Sequence, residues 1–249
     1  AAGARAGALL AMLARAAGGP GVVIEALALT TMLSLRDLAR AARGVQAALR
    51  RGDLDGARAA VGRDLVSRPT ALLGPGQVAA AAIESVAENL TDSVVAPVAF
   101  YLVFGLPGAF AYRAVNTADA MIGYRQGALE HFGKVAARLD DALNFVPARL
   151  AALAIAASAG AGGGRARGAW QTMRAQHGRT ASPNAGWTMA AMAGALGVRL
   201  EKPGHYVLGA GAAPTPEDIA TAVRIMTVAA TVAIASMALS AVLLRVVSS

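Results

Sequence analysis

From Ile225 to Leu244 the chain carries no charged residue, and it is rich in Ala, Val, Ile, Met and Leu. About 20 such residues in a helix cross the hydrocarbon core of a bilayer. Arg224 and Arg245 bound the stretch, and arginines at helix ends reach their charged heads to the interfaces. The pattern predicts a C-terminal transmembrane helix over 225–244. Composition agrees: 56% of residues are hydrophobic, mean hydropathy is +0.50, and charge is gathered into blocks. A soluble domain of this size spreads polar residues more evenly.

Four further apolar stretches are less continuous. Gly18–Leu35 is apolar except for Glu25. Val94–Tyr112 lacks charge but holds Pro97, Gly105, Pro107 and Gly108. Leu150–Gly164 ends in glycines, and Thr180–Val198 opens on a turn-like S-P-N-A-G. Interrupted helices at membrane depth are tolerated where protein or a water-filled cavity covers them, so a broken or hairpin path is expected over Val94–Tyr112. The fold expected is an all-α, polytopic integral membrane helical bundle, a single domain over 1–249.

The net charge of +8 sits in two arginine-dense blocks, Arg36–Arg68 and Arg165–Arg179. Short basic segments beside apolar ones stay in the cytoplasm. Nucleic-acid binding would want interleaved aromatics, and neither block has enough of them. The first block has the periodicity of short amphipathic helices, with Gly52 and Gly56 as turns. It is expected to be a solvated cytoplasmic helical pair rather than a site.

Against this background one acidic run stands out. Glu84, Glu88 and Asp92 recur every four residues in E-S-V-A-E-N-L-T-D, with Asn89 among them, and no Lys or Arg occurs from Pro69 to Tyr112. Like charges at this spacing cost about 0.2–0.5 kcal/mol per pair, and more where water is scarce. A metal ion, a cationic substrate or arginines from elsewhere in the fold must compensate them.

Three more polar clusters interrupt apolar sequence. Arg113, Asn116 and Asp119 fall at i, i+3 and i+6 with Gly123 on the same face, and Arg125 follows. R-L-D-D-A-L-N puts Arg138, Asp141 and Asn144 on one helix face with Asp140 bordering Asn144, and paired aspartates with an amide suit a hard divalent cation. Ser182, Asn184 and Trp187 form a polar turn that opens a helix. Each has a plain reading: a salt bridge, a helix cap, an interfacial Trp. Their recurrence in an apolar chain is what points to function.

The chain has no Cys, so disulfides, thiolate metal sites and Cys nucleophiles are excluded. His131, His177 and His205 lack metal-ligand spacing, and no P-loop is present. Read from residues alone, D-D-x-x-N suits a Mg²⁺-dependent membrane transferase acting on a diphosphate or CDP-alcohol. Such enzymes bring a second aspartate-rich motif, and this chain offers only the glutamate-rich one. A polytopic transporter would show internal inverted repeats, and none is found.

The four blocks E-S-V-A-E-N-L-T-D-S-V-V-A-P, G-L-P-G-A-F-A-Y-R-A-V-N-T-A-D-A-M-I-G-Y-R, F-G-K-V-A-A-R-L-D-D-A-L-N-F-V-P-A-R-L and S-P-N-A-G-W-T-M-A-A-M-A-G-A-L-G-V-R-L occur in that order. Together they resemble the adenosylcobinamide-phosphate synthase family of cobalamin biosynthesis, over about Leu29 to Val223. The resemblance implies a multi-pass protein of the bacterial cytoplasmic (inner) membrane, its site facing the cytoplasm. It implies an ATP-dependent ligase that joins aminopropanol, or its phosphate, to the free carboxylate of adenosylcobyric acid. ATP and Mg²⁺ are implied as cosubstrate and cofactor. The corrinoid, the amine and the lipid bilayer are the implied partners, without nucleic acid, and a homo-oligomer is compatible. It also implies a further membrane segment with Asp-Pro and His-Pro motifs ahead of Ala1.

Amide formation from a carboxylate needs activation by phosphoryl transfer, with Mg²⁺ across the phosphates and cations on the transferred group. On that chemistry Glu84, Glu88, Asp92, Asp140 and Asp141 are the expected catalytic carboxylates, with Glu88, Asp92, Asp140 and Asp141 as metal ligands. Arg113, Arg125 and Arg138 are expected on phosphates. Asn89, Asn116, Asn144 and Asn184 would orient substrate amides, with Asp119, Ser182 and Trp187 completing the binding set.

Overall fold

A computed structural model describes residues 2–16, 18–122 and 130–247. It is 78% helical. The elements run α1 (Ala2–Ala16), α2 (Gly21–Thr30), α3 (Leu35–Arg50), α4 (Leu54–Asp64), α5 (Pro75–Leu90), a π-turn (Thr91–Val95), α6 (Ala96–Ile122), α7 (Glu130–Leu143), α8 (Phe145–Ser158), α9 (Ala166–Gln176), a 3₁₀ turn (His177–Arg179), α10 (Ala185–Leu196), β1 (Arg199–Lys202), β2 (Tyr206–Gly209) and α11 (Pro216–Val247). The antiparallel hairpin, with Leu200 opposite Leu208, departs from the all-α expectation. Both leucines are fully buried, so the hairpin earns its place as a small apolar plug. Two units of internal packing emerge, one of Ala1–Ser34, Asp92–Pro147 and Ile234–Ser249, the other of Leu35–Thr91 and Ala148–Ala233.

In the first unit α1 and α2 pack on α6, and α6 packs on α7. Gly3 and Gly7 carry the first of these contacts: a Cβ on Gly3 would lie 2.5 Å from the Phe110 carbonyl, and one on Gly7 2.6 Å from that of Leu106. Small residues four apart let two backbones approach closely. The expected interruption in Val94–Tyr112 is present at Gly105. Its φ of 66° and ψ of −162° lie outside the helical region, two residues before Pro107.

In the second unit α3 and α4 form the predicted amphipathic pair. Gly52 makes the turn with φ 73°. Gly56 instead lies inside α4, where its N–H donates to Oδ1 of the N-cap Asp53 at 2.8 Å. An N-cap aspartate supplies the acceptor that a first-turn N–H otherwise lacks. Helix α5 packs on α3, α4, α10 and β1, and is buried continuously from Val78 to Ala87. Helix α10 is likewise buried from Ala185 to Ala195 except Trp187 and packs on α9. A helix that is apolar on all sides belongs in an interior. Thr180–Val198 could be a span, a broken helix or a segment buried in the bundle, and α10, 12 residues long and buried, is the last of these.

Two helical stretches are long and apolar enough to cross a membrane, Pro75–Met121 and Pro216–Leu244. The second contains the predicted 225–244 segment. Gly133–Leu143 and Phe145–Ser158 make a third if taken as one span bent by 51°. The 10-residue α2 leaves Gly18–Leu35 without a spanning helix.

Candidate functional site

The acidic helix finds its cation in the arginine-rich block. Glu84 lies on the buried stretch of α5 and is 5% exposed. Arg68, in the segment after α4, donates from Nη2 to Glu84 Oε2 at 3.1 Å. The block is therefore not solvated throughout: its last arginine turns inward to neutralise a carboxylate 16 residues on. The second oxygen, Glu84 Oε1, is buried with no hydrogen-bond partner among the described residues. Such an atom is costly unless something satisfies it.

Both side chains line a cavity of about 180 Å³, together with Glu88, Asn89, Lys202 and Tyr206. Glu88 is exposed at its edge. Asn89 turns back on its own helix, donating from Nδ2 to the Ser85 carbonyl at 3.0 Å and the Ser85 hydroxyl at 3.2 Å. That hydroxyl donates in turn to the Leu65 carbonyl at 3.0 Å, tying α5 to the segment that carries Arg68. Lys202 and Tyr206 face each other across the hairpin, with Nζ 5.9 Å from the ring centroid. Burial first, then the Glu84 and Glu88 carboxylates, pushes the Tyr206 phenol well above its usual range. It stays a neutral O–H at ordinary pH. Sequence reasoning missed Arg68, Lys202 and Tyr206, because nothing local marks a hairpin or a loop arginine as facing a distant helix.

The first unit holds the second cluster, organised around Asn144. This residue is buried (3% exposed), and its Nδ2 donates both to Asp92 Oδ1 at 3.1 Å and to Asp140 Oδ2 at 3.0 Å. Its Oδ1 accepts from the Tyr112 hydroxyl at 2.9 Å. Asn116 donates to the other oxygen of Asp140 at 3.2 Å and accepts from Arg113 Nη1 at 3.2 Å. One continuous chain thus runs from Arg113 through Asn116, Asp140 and Asn144 to Asp92. Asp92 sits in the π-turn, a distortion that recurs at functional sites.

The predicted face of Arg138, Asp141 and Asn144 shifts by one position, since the partner of Asn144 is Asp140 at i−4. Arg138 is exposed and Asp141 half-buried on α7, and Asp119 is half-buried on α6. Arg113 and Asn116 meet as their spacing predicted. Tyr112 escaped notice because a tyrosine inside an apolar run looks like core. Arg125 and Gly123 lie outside the described residues. Among the described residues no three His, Asp or Glu side chains gather as metal ligands. The first unit does hold two carboxylates, Asp92 and Asp140, on one amide.

The S-P-N-A-G-W turn divides between the plain and the functional reading. The Ser182 hydroxyl accepts from the N–H groups of Asn184 and Ala185 at 3.2 and 3.4 Å, as a local cap does. Asn184 is buried and its Oδ1 accepts from Arg149 Nη1 at 3.0 Å. The Arg149 guanidinium lies 4.8 Å from the Trp187 ring centroid, and His177 stacks on that indole at 3.9 Å. The same unit has a wider groove of about 750 Å³, lined by Arg165, Arg167, Gln171 and Thr172 among others.

Residues 1–243 match the family described as CobD/Cbib protein. This chain belongs to the CobD/Cbib family. Among its similar relatives is the cobalamin biosynthesis protein CobD of Dehalococcoides mccartyi (strain CBDB1), 48% identical over 188 residues, 76% of this chain and 60% of that protein. The probable cobalamin biosynthesis protein CobD of Methanothermobacter thermautotrophicus (strain Delta H) is 45% identical over 188 residues, 76% of this chain and 63% of that protein. That of Brucella suis biovar 1 (strain 1330) is 44% identical over 192 residues, again 76% of this chain and 58% of the relative. The chain thus spans about three fifths of the CobD/Cbib relatives it matches here. No solved structure is detectably similar to it.

Proposed function

We propose that this chain acts in cobalamin biosynthesis as an ATP-dependent amide-forming synthase. It would attach aminopropanol, or its phosphate, to the free carboxylate of adenosylcobyric acid at the cytoplasmic membrane, its basic helices facing the cytoplasm. The observation that carries this reading is the 44–48% identity to relatives named cobalamin biosynthesis protein CobD.

The arrangement of polar groups supports it. Asp92 and Asp140 present hard oxygen donors held by the two protons of the Asn144 amide. Mg²⁺ is usually held by one or two carboxylates plus substrate phosphates, so the pair fits the ion. Asp141, and Glu88 by its place on α5, remain further proposed ligands. When bound, the ion neutralises phosphate charge as a carboxylate is activated.

The protein's own groups would do the rest. Arg113, its fork partly fixed by Asn116, would bind a phosphate, and Arg125 and Arg138 are proposed for the same task. The corrinoid carboxylate would take the γ-phosphoryl group of ATP as ADP leaves, and the amine lone pair would then attack the acyl carbon: a C–N bond forms, phosphate leaves, and nitrogen gives up a proton. Glu84 and Glu88 are the proposed acceptors of protons from the incoming ammonium. Asn116, Asn144, Asn184 and Asn89 would fix the orientation of amides, with Asp119, Ser182 and Trp187 around them.

The test is mass spectrometry on detergent-purified protein given adenosylcobyric acid, aminopropanol phosphate and Mg-ATP. The expected result is an ATP-dependent mass adduct of the corrinoid with the amine. If the chain and an N-terminally extended form both gave none, the synthase reading would fail. The diphosphate- or CDP-alcohol-dependent transferase would then lead.

A further inference from the structure

We infer that the cavity between α5, the Arg68 segment and the β-hairpin is the recognition site for a small zwitterion, an organic ammonium carrying an anionic group, with Glu84 as its ammonium receptor. The assignment deepens the synthase reading and rests on it for the ligand's identity, which is then the phosphorylated amino alcohol.

Four observations carry it. The first is size: about 180 Å³ holds a molecule of roughly ten heavy atoms, and is far below the 300–1,000 Å³ typical of larger ligands. It is too small to enclose a corrinoid or a whole nucleotide. The second is charge: the lining offers two carboxylates, Glu84 and Glu88, and two cations, Arg68 and Lys202. A site balanced in this way suits an occupant that carries both signs.

The third observation is the vacancy in hydrogen bonding at Glu84. One oxygen accepts from Arg68, and the other is buried and forms no hydrogen bond among the described residues, with the Tyr206 hydroxyl as its neighbouring donor group, in a side chain 6% exposed that lines the cavity. A carboxylate oxygen in that state lacks a donor, and an ammonium supplies three. The fourth is polarity across the cavity. Tyr206 is a neutral hydroxyl, and Lys202 lies beside it on the opposite strand. Arg68 and Lys202 are thus available to a phosphate while Glu84 takes the nitrogen, and guanidinium and ammonium groups are both good phosphate partners.

The arrangement selects against near relatives of the ligand. An alcohol phosphate without nitrogen leaves the Glu84 oxygen unsatisfied, and a site built to bond a donor rejects the analogue that lacks it. A free amino alcohol keeps the ammonium contact and loses the contacts to Arg68 and Lys202.

The experiment measures binding apart from turnover, so that this assignment and the synthase reading fail separately. Thermal-shift or calorimetric titration of the purified protein is run with aminopropanol phosphate, free aminopropanol, propanol phosphate and inorganic phosphate, without ATP or corrinoid. Aminopropanol phosphate should bind best. Glu84→Gln should weaken it by about 10- to 100-fold, the range expected for losing a charged hydrogen bond. Lys202→Ala, at the half-exposed hairpin, should weaken the phosphorylated amine but leave free aminopropanol within about twofold. It also serves as the control should Glu84→Gln fold poorly.

In the coupled assay Glu84→Gln should raise KM for the amine and leave KM for ATP unchanged. Equal binding of propanol phosphate and aminopropanol phosphate would overturn the assignment. So would unchanged amine affinity in Glu84→Gln. An amine-selective pocket in a protein that forms no corrinoid adduct would sustain the site and sink the synthase reading instead.

Discussion

Asn144 is the residue on which the first unit's cluster turns, because its amide bonds two carboxylates at once. Asn144→Asp keeps the shape but removes both donors and adds a third negative charge. Stability should fall by about 1–3 kcal/mol, the cost of stranding buried polar groups. The measurement is the loss in apparent Tm of the detergent-solubilised protein, and an unchanged Tm would contradict the hub role. Tyr112→Phe removes a single neutral hydrogen bond to the same amide, so its cost should be nearer 1 kcal/mol. The two aspartates of D-D should separate in the same way. Asp140 is bonded to both Asn116 and Asn144, so Asp140→Asn should reduce kcat/KM at least about tenfold more than Asp141→Asn. Equal losses would return the role to the pair. In the sequence the D-D pair was legible as part of a polar cluster, but which member meets Asn144 was not. A helical wheel places residues on a face, and the choice between neighbours depends on how α7 is rotated against α6.

At the scale of elements, the α1–α6 contact is carried by absence of side chains. Gly7→Ala would press a methyl into the Leu106 carbonyl and Pro107 backbone. Overpacking of this kind costs about 1–3 kcal/mol, so a lowered Tm is expected. Gly18→Ala lies in open space and has a positive φ, which makes it a backbone-strain comparison without a clash. A Gly7→Ala protein as stable as the parent would mean that α1 does not seat on α6. The long helices and the amphipathic pair were readable from hydropathy and arginine spacing, since both patterns are local. The β-hairpin was not: Arg199–Gly209 is only moderately apolar, and two short strands become favourable only with Leu200 and Leu208 buried. Arg68 was hidden for a related reason. Its block is a solvated helical pair for much of its length, and the final turn toward α5 gives Arg68 a task that no local pattern marks.

For the whole molecule, the two basic blocks set an orientation that can be checked directly. The chain has no native Cys, so single replacements report unambiguously. Arg40→Cys and Arg167→Cys are both at exposed positions. In intact bacterial cells an impermeant maleimide should leave them unlabelled, and permeabilisation should expose both. Labelling of intact cells would invert the proposed topology. Membership in the CobD/Cbib family was legible because four polar blocks keep their order through an apolar chain. The grouping of these blocks into two separately packed sets was not, since sequence order interleaves them.

The stack of His177, Trp187 and Arg149 has a use beyond packing. Only two tryptophans occur in the chain, and the other, Trp170, is exposed at 44%. With Trp170→Phe, tryptophan emission would come from a single indole in contact with an imidazole and a guanidinium. Any ligand that draws Arg149 away would change its intensity and colour. The protein therefore carries its own optical reporter, readable in real time and without a dye.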